Sequence, residues 1–110
     1  MEVGDDLRDF TNADLIARGF DVPTVTPARA AVILAAIAER YRFTLYEHFI
    51  TDKIGHDRDY ENARRHLPLL AEFVRETVRL IDPQKTTLIL TSDHGNIEDL
   101  SVRNHTLNKV

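Results

Sequence analysis

The chain has 110 residues, 43% of them apolar and 29% charged, with a formal net charge of −4. That is the balance of one small globular domain. No basic cluster offers a polyanion-binding surface, so nucleic acid is not an expected partner. The absence of cysteine excludes disulfides, thiolate nucleophiles and cysteine zinc sites together.

The acidic start, MEVGDDLRDF, lacks the apolar core of a signal peptide. The longest apolar stretch, AAVILAAIA, is far shorter than the ~20 residues that cross a bilayer. A soluble, cytoplasmic protein with no membrane partner is expected. Residues 1–25 read as an N-terminal arm or connector. They hold a short helix in NADLIARG closed by Gly19, then an extended FDVPTVTP in which each proline disfavours helix before it. Thr26 and Pro27 form a cap and first-turn pair. They open a helix to about Tyr41 that is apolar over most of its surface and should be buried on more than one side.

Phe43 to Ile50, FTLYEHFI, has the aromatic and β-branched content of a strand. Asp57 should cap a long helix to about Ile81, with Leu67, Leu70, Phe73, Val74, Thr77, Leu80 and Ile81 as its apolar stripe. Pro68 should kink or divide that helix, and Asp82-Pro83 should stop it. Thr86 to Thr91, TTLILT, reads as a strand buried on both faces of a parallel sheet. The expected class is therefore α/β, with parallel strands in one right-handed β-α-β unit and an extra N-terminal helix. In such a unit both strand ends meet at the sheet edge where ligands bind.

Each strand end runs into an Asp and a His close to a glycine that lets the loop turn. The first supplies Asp52 and His56 in TDKIGH, the second Asp93 and His94 in SDHGN, and Asn104-His105-Thr106 can fold back over the same edge. Alone, each piece is a polar turn, a helix cap or a surface histidine. His48 and His66 lie inside predicted elements and read as partly buried or surface histidines. Together, two Asp and three His without sulfur suit manganese or zinc better than magnesium or iron. Five such groups exceed what one structural zinc takes, which favours part of a two-metal centre.

TSDHGNIEDL followed by NHTLNKV, with TDKIGH upstream, resembles the C-terminal metal-binding segment of the alkaline phosphatase-like metalloenzymes. Within them it is most similar to cofactor-independent phosphoglycerate mutase and its relatives. The resemblance runs from about Phe43 to Val110 and implies a partial alkaline phosphatase-like fold, with residues 26–110 as a partial metalloenzyme α/β domain. It implies that Asp52, His56 and His105 bind a first divalent metal and that Asp93 and His94 bind a second. It further implies a phosphorylated small-molecule substrate and a phosphoenzyme discharged to water or to a second hydroxyl, as in a phosphatase or a mutase.

The family's aspartate and Ser/Thr nucleophile have no counterpart before Asp52, because Thr24, Thr26 and Thr44 stand in no matching context. No catalytic nucleophile is assigned, and the chain by itself is expected to be inactive. The first reading is a fragment of a phosphoryl-transfer metalloenzyme, cut by design, proteolysis or a split gene. The end at Lys109-Val110 favours it, while the start at Met1 favours a designed or natural start. The alternative is a free-standing, non-catalytic metal-binding or interaction module built on half of the fold. Apolar helix faces and unpaired strand edges further predict a homo-oligomer with Val32, Ile33 or Ile37 at its interface.

Overall fold

Thr26 accepts a hydrogen bond from the Arg29 N–H at 3.2 Å through its hydroxyl, and Pro27 occupies the first helical position. This is the pairing expected to start a helix. In the computed structural model, which describes residues 10–108, that helix is α2 (Pro27–Arg40). It follows a short α1 (Ala13–Ala17), closed by Gly19 at φ +89°, a left-handed turn that glycine takes without strain. The first nine residues of the N-terminal arm and the Lys109-Val110 end lie outside the described residues.

Helix α2 packs along α4 (Tyr60–Leu80). Asp59, not Asp57, caps α4: its carboxylate accepts from the Asn62 N–H at 3.0 Å and from the Asn62 side-chain amide at 2.7 Å. Asp57 instead ends α3 (Ile50–Asp57), where Arg58 turns the chain at φ 55°. Pro68 does not divide α4, which runs unbroken for 21 residues. The expected stripe lies against the core at Leu70, Phe73, Val74, Thr77 and Leu80, whereas Leu67 is exposed. The buried Thr77 hydroxyl donates to the Phe73 carbonyl at 2.7 Å, which removes the penalty of an unpaired polar group.

The expected α/β architecture is not formed. The described residues contain four helices and no sheet, and their one β-bridge joins Gly95 to Thr106. Residues 43–49 and 86–91 form neither helix nor strand, and no backbone ladder joins them to each other. There is thus no parallel pair and no right-handed crossover. Strand pairing needs a neighbouring backbone about 4.8 Å away, and aromatic or β-branched content supplies only a preference for the extended form. Phe43 is accordingly 80% exposed and Ile89 78%. The last residue of FTLYEHFI, Ile50, turns into α3, so Asp52 and His56 sit on a helix, not after a strand.

The core is small. Phe10, Ala30, Ala31 and Phe73 form its buried centre, with Val25, Leu34, Tyr46, Leu70, Val74 and Leu80 packed around it. Phe10 stacks on Phe73 at 4.5 Å between ring centroids. Beside Phe10, His48 and His66 lie half-buried with their Nε2 atoms 2.7 Å apart, so neither faces the metal-ligand candidates. Helix α2 is buried on one side only: Ala30 and Ala31 face inward, while Val32, Ile33 and Ile37 are 40–43% exposed. No helix among the described residues is long and apolar enough to cross a membrane.

Candidate metal centre

Asp52 and His56 stand one turn apart on α3, which puts both on the same helix face. The His56 Nε2 is 3.4 Å from Asp52 Oδ1. Two segments reach the same oxygen from elsewhere in the chain. His105 Nε2 lies 3.2 Å from it and His94 Nε2 3.8 Å. His56 and His105 also face each other, with their Nε2 atoms 3.0 Å apart, and the His94 and His105 rings stack at 3.5 Å.

The chain builds this convergence from local devices. Gly95 and Thr106 exchange backbone hydrogen bonds of 3.3 and 2.8 Å, which lays the NHT segment beside the SDHG loop. Arg58 Nε donates to the Leu100 carbonyl at 2.9 Å and ties the end of α3 to the connecting loop. His56 Nδ1 stands 2.6 Å from the Arg103 carbonyl and His94 Nδ1 3.3 Å from the Gly95 carbonyl. A carbonyl oxygen can only accept, so in both rings a proton sits on Nδ1, and in the neutral ring Nε2 is the nitrogen left to bind a cation. Both Nε2 atoms lie within 4 Å of Asp52 Oδ1.

This donor set fits a divalent cation. Ligand atoms around an ion with bonds of ~2.1 Å stand roughly 3.0–3.5 Å apart, close to the spacing of the three imidazole nitrogens about the Asp52 carboxylate. Asp52, His94 and His105 alone offer ligand atoms within 4.8 Å of one another. Facing lone pairs repel one another without a cation or a shared proton, and histidine ligands whose Nδ1–H is held by a carbonyl are a recurring arrangement at metal sites.

Four of the five residues expected from the sequence are brought together: Asp52, His56, His94 and His105. Asp93 is not. Its side chain is 86% exposed, and it meets the group only through His94, 3.5 Å from that ring's Nε2 and accepting the His94 N–H at 3.0 Å. His94, which the resemblance pairs with Asp93 at a second metal, lies 3.8 Å from Asp52 Oδ1 as well.

Three groups at the centre lie outside the expected ligand set. Asn96 is 5% exposed, and its side-chain amide donates to Asp52 Oδ1 at 2.9 Å. Glu98 accepts from the Asn96 N–H at 2.5 Å, from the Asn108 amide at 3.0 Å and from the Thr106 hydroxyl. The Thr106 hydroxyl, helped by these amides, holds the Glu98 carboxyl below its ordinary value. The third is Gly55, where a Cβ would overlap the Asn96 side chain; at Gly95 it would overlap the Thr106 hydroxyl and the Glu98 carboxylate. Neither glycine has a positive φ, so what they supply is room for close approach, not a sharp turn. The available signal was the run of polar residues after His94, longer than a turn requires.

The described model for the Metalloenzyme superfamily matches residues 20–110. A 2,3-bisphosphoglycerate-independent phosphoglycerate mutase 1 from Archaeoglobus fulgidus is 37% identical over 82 residues, covering 73% of this chain and 19% of the relative. The chain thus spans about a fifth of the length of that relative. No solved structure matches the chain. Both findings bear out the resemblance carried by TSDHGNIEDL, NHTLNKV and TDKIGH.

Proposed function

The chain belongs to the metalloenzyme superfamily, and on that premise we propose that it is the metal-holding part of a divalent-metal-dependent phosphoryl-transfer enzyme acting on a phosphorylated small molecule. The observation that carries this reading is the convergence of the His56, His94 and His105 Nε2 atoms on Asp52 Oδ1. The kinship with a phosphoglycerate mutase supports the substrate class.

Asp52 supplies the negative charge of the site. His56 and His94 present lone pairs fixed by their Nδ1–H···O=C bonds. His105 Nε2, 3.0 Å from His56 Nε2 and 3.2 Å from Asp52 Oδ1, would be the third nitrogen ligand in the tautomer that carries its proton on Nδ1. When bound, a manganese or zinc ion would supply the Lewis acidity that neutralises phosphoryl oxygens and activates an attacking hydroxyl. That hydroxyl is not among the nearby groups: Ser92 donates to the His94 carbonyl at 2.7 Å and Thr106 to Glu98. The nucleophile, and with it mutase or phosphatase turnover, is assigned to sequence outside these residues.

The test is elemental analysis after incubation with manganese or zinc and exhaustive dialysis, paired with an assay on a generic phosphate monoester. At least one ion retained per chain with negligible turnover is the expected result. Retention of neither metal would overturn the metal-holding role, and robust metal-dependent hydrolysis would overturn the assignment of the nucleophile elsewhere.

Self-association is part of the same proposal. Val32, Ile33 and Ile37 form an exposed apolar strip on α2. Full burial of such a side chain is worth roughly 1.5–3 kcal/mol, of which the 40–43% still exposed on each remains to be gained by packing a second copy there. Sedimentation equilibrium at micromolar concentration should give a mass above that of one chain, and Ile33→Glu should return it to a monomer. A wild-type chain that sediments as a monomer would rule this out.

A further inference from the structure

We propose that Glu98 is a positioning residue for the metal cluster, one carboxylate that holds together the two segments carrying His94 and His105 and, through Asn96, aims Asp52. The inference rests on the metal-holding role proposed above. Its two oxygens divide the work. Oε2 accepts from the Asn96 N–H, two residues beyond His94, and Oε1 accepts from the Thr106 hydroxyl and the Asn108 amide, on either side of the segment that follows His105. The contact is reinforced by the Gly95–Thr106 bridge, whose Gly95 leaves room for no side chain. Asn96 carries the connection onward: its backbone is held by Glu98 and its buried side-chain amide donates to Asp52 Oδ1.

A carboxylate suits this place because it is an acceptor at both oxygens, and all three of its partners donate. Glutamine keeps the length but turns one oxygen into a donor, so it can serve one segment and not both. Aspartate keeps the charge but is one methylene too short to span them. Asp99 is the natural control. It is the adjacent acid on the same loop, but its bonds are local, to the Ser101 N–H and hydroxyl. Its loss loosens the loop without separating His94 from His105.

The test compares the wild-type chain with Glu98→Gln, Glu98→Asp, Thr106→Val and Asp99→Asn by two readouts. The first is metal-free: nuclear magnetic resonance of the imidazole protons, since rings stacked at 3.5 Å shift one another's signals upfield. The second is the visible spectrum and affinity of added Co(II). Glu98→Gln should remove the upfield shifts and weaken Co(II) binding by about 10–100-fold, the range for losing a group that orients a metal ligand. Thr106→Val and Glu98→Asp should do the same to a smaller degree, and Asp99→Asn should match the wild type. Far-ultraviolet circular dichroism should show α2 and α4 intact throughout.

Ring shifts and Co(II) affinity unchanged in Glu98→Gln would overturn the proposal, as would an equal effect of Asp99→Asn. Should Glu98→Gln fail to fold, Thr106→Val decides by the same two readouts. Should even the wild-type chain hold no Co(II), the metal-holding role falls, and the metal-free ring shifts still decide whether Glu98 sets the histidine positions.

Discussion

Asp52→Asn is expected to reduce manganese or zinc affinity more than any other single replacement in the chain, by over the ~100-fold that marks the upper range for losing a supporting group. Three imidazole nitrogens and the Asn96 amide all address one oxygen of this side chain. The substitution removes the charge that balances the cation while leaving an oxygen to accept from Asn96. The fold should therefore persist while metal retention is lost, a combination that calorimetric titration and circular dichroism on the same sample can separate. Asp52→Ala should show an added defect. The buried Asn96 amide then keeps only its long, 3.4 Å bond to the backbone carbonyl of residue 52, at a cost of up to about 1–3 kcal/mol in stability. Undiminished affinity in Asp52→Asn would mean that the histidines gather around Asp52 for packing reasons alone.

Phe73→Ala should be the most destabilising core substitution. The ring is 4% exposed, stacks on Phe10 at 4.5 Å with 10° between planes, and meets Tyr46 at 5.3 Å. Removing a buried phenylalanine costs about 3–5 kcal/mol, against a total stability of roughly 5–15 kcal/mol for a domain. Few other buried side chains stand ready to fill the space, because the centre otherwise consists of Phe10 and two alanines. Thermal unfolding followed at 222 nm should show a melting temperature lower by about 10–20 °C. A loss below about 1 kcal/mol would show that α2 and α4 are held together elsewhere. The metal centre draws none of its ligands from α4, so any residual folded fraction should still bind metal.

The helices were the most legible part of the fold. Thr26-Pro27 and the Leu70–Phe73–Thr77 spacing are local signals, and a helix satisfies its own backbone within one segment. The start of α4 was misplaced by two residues because Asp57 and Asp59 are chemically equal candidates for the cap; only the left-handed turn at Arg58 selects between them. The two strand-like segments were misread for a different reason. TTLILT records a need for burial on two faces, and a strand's hydrogen bonds lie in another segment. Among the described residues no such segment pairs with it, so extended preference did not become a sheet.

The candidate donors were legible by type and motif, because Asp-His-Gly-Asn and His-Thr-x-Asn bring donor atoms that side chains carry wherever they are placed. Their convergence was expected from parallel strand ends and is reached by another route: one helix turn for Asp52 and His56, and the Gly95–Thr106 bridge for His94 and His105. By itself the sequence determined which residues carry metal-binding donor atoms, where α2 begins and which side of α4 turns inward, since side-chain chemistry, capping and helical period act over a few residues. Only the tertiary structure decided that Asp93 turns to solvent, that His94 joins Asp52, and that Glu98 and Asn96 bind the loops together. His94 and Asn96 reach Asp52 across more than forty residues, and Glu98 joins Asn96 to Thr106 and Asn108 within one loop; both depend on how separate segments lie in space, which no helical period or capping preference encodes.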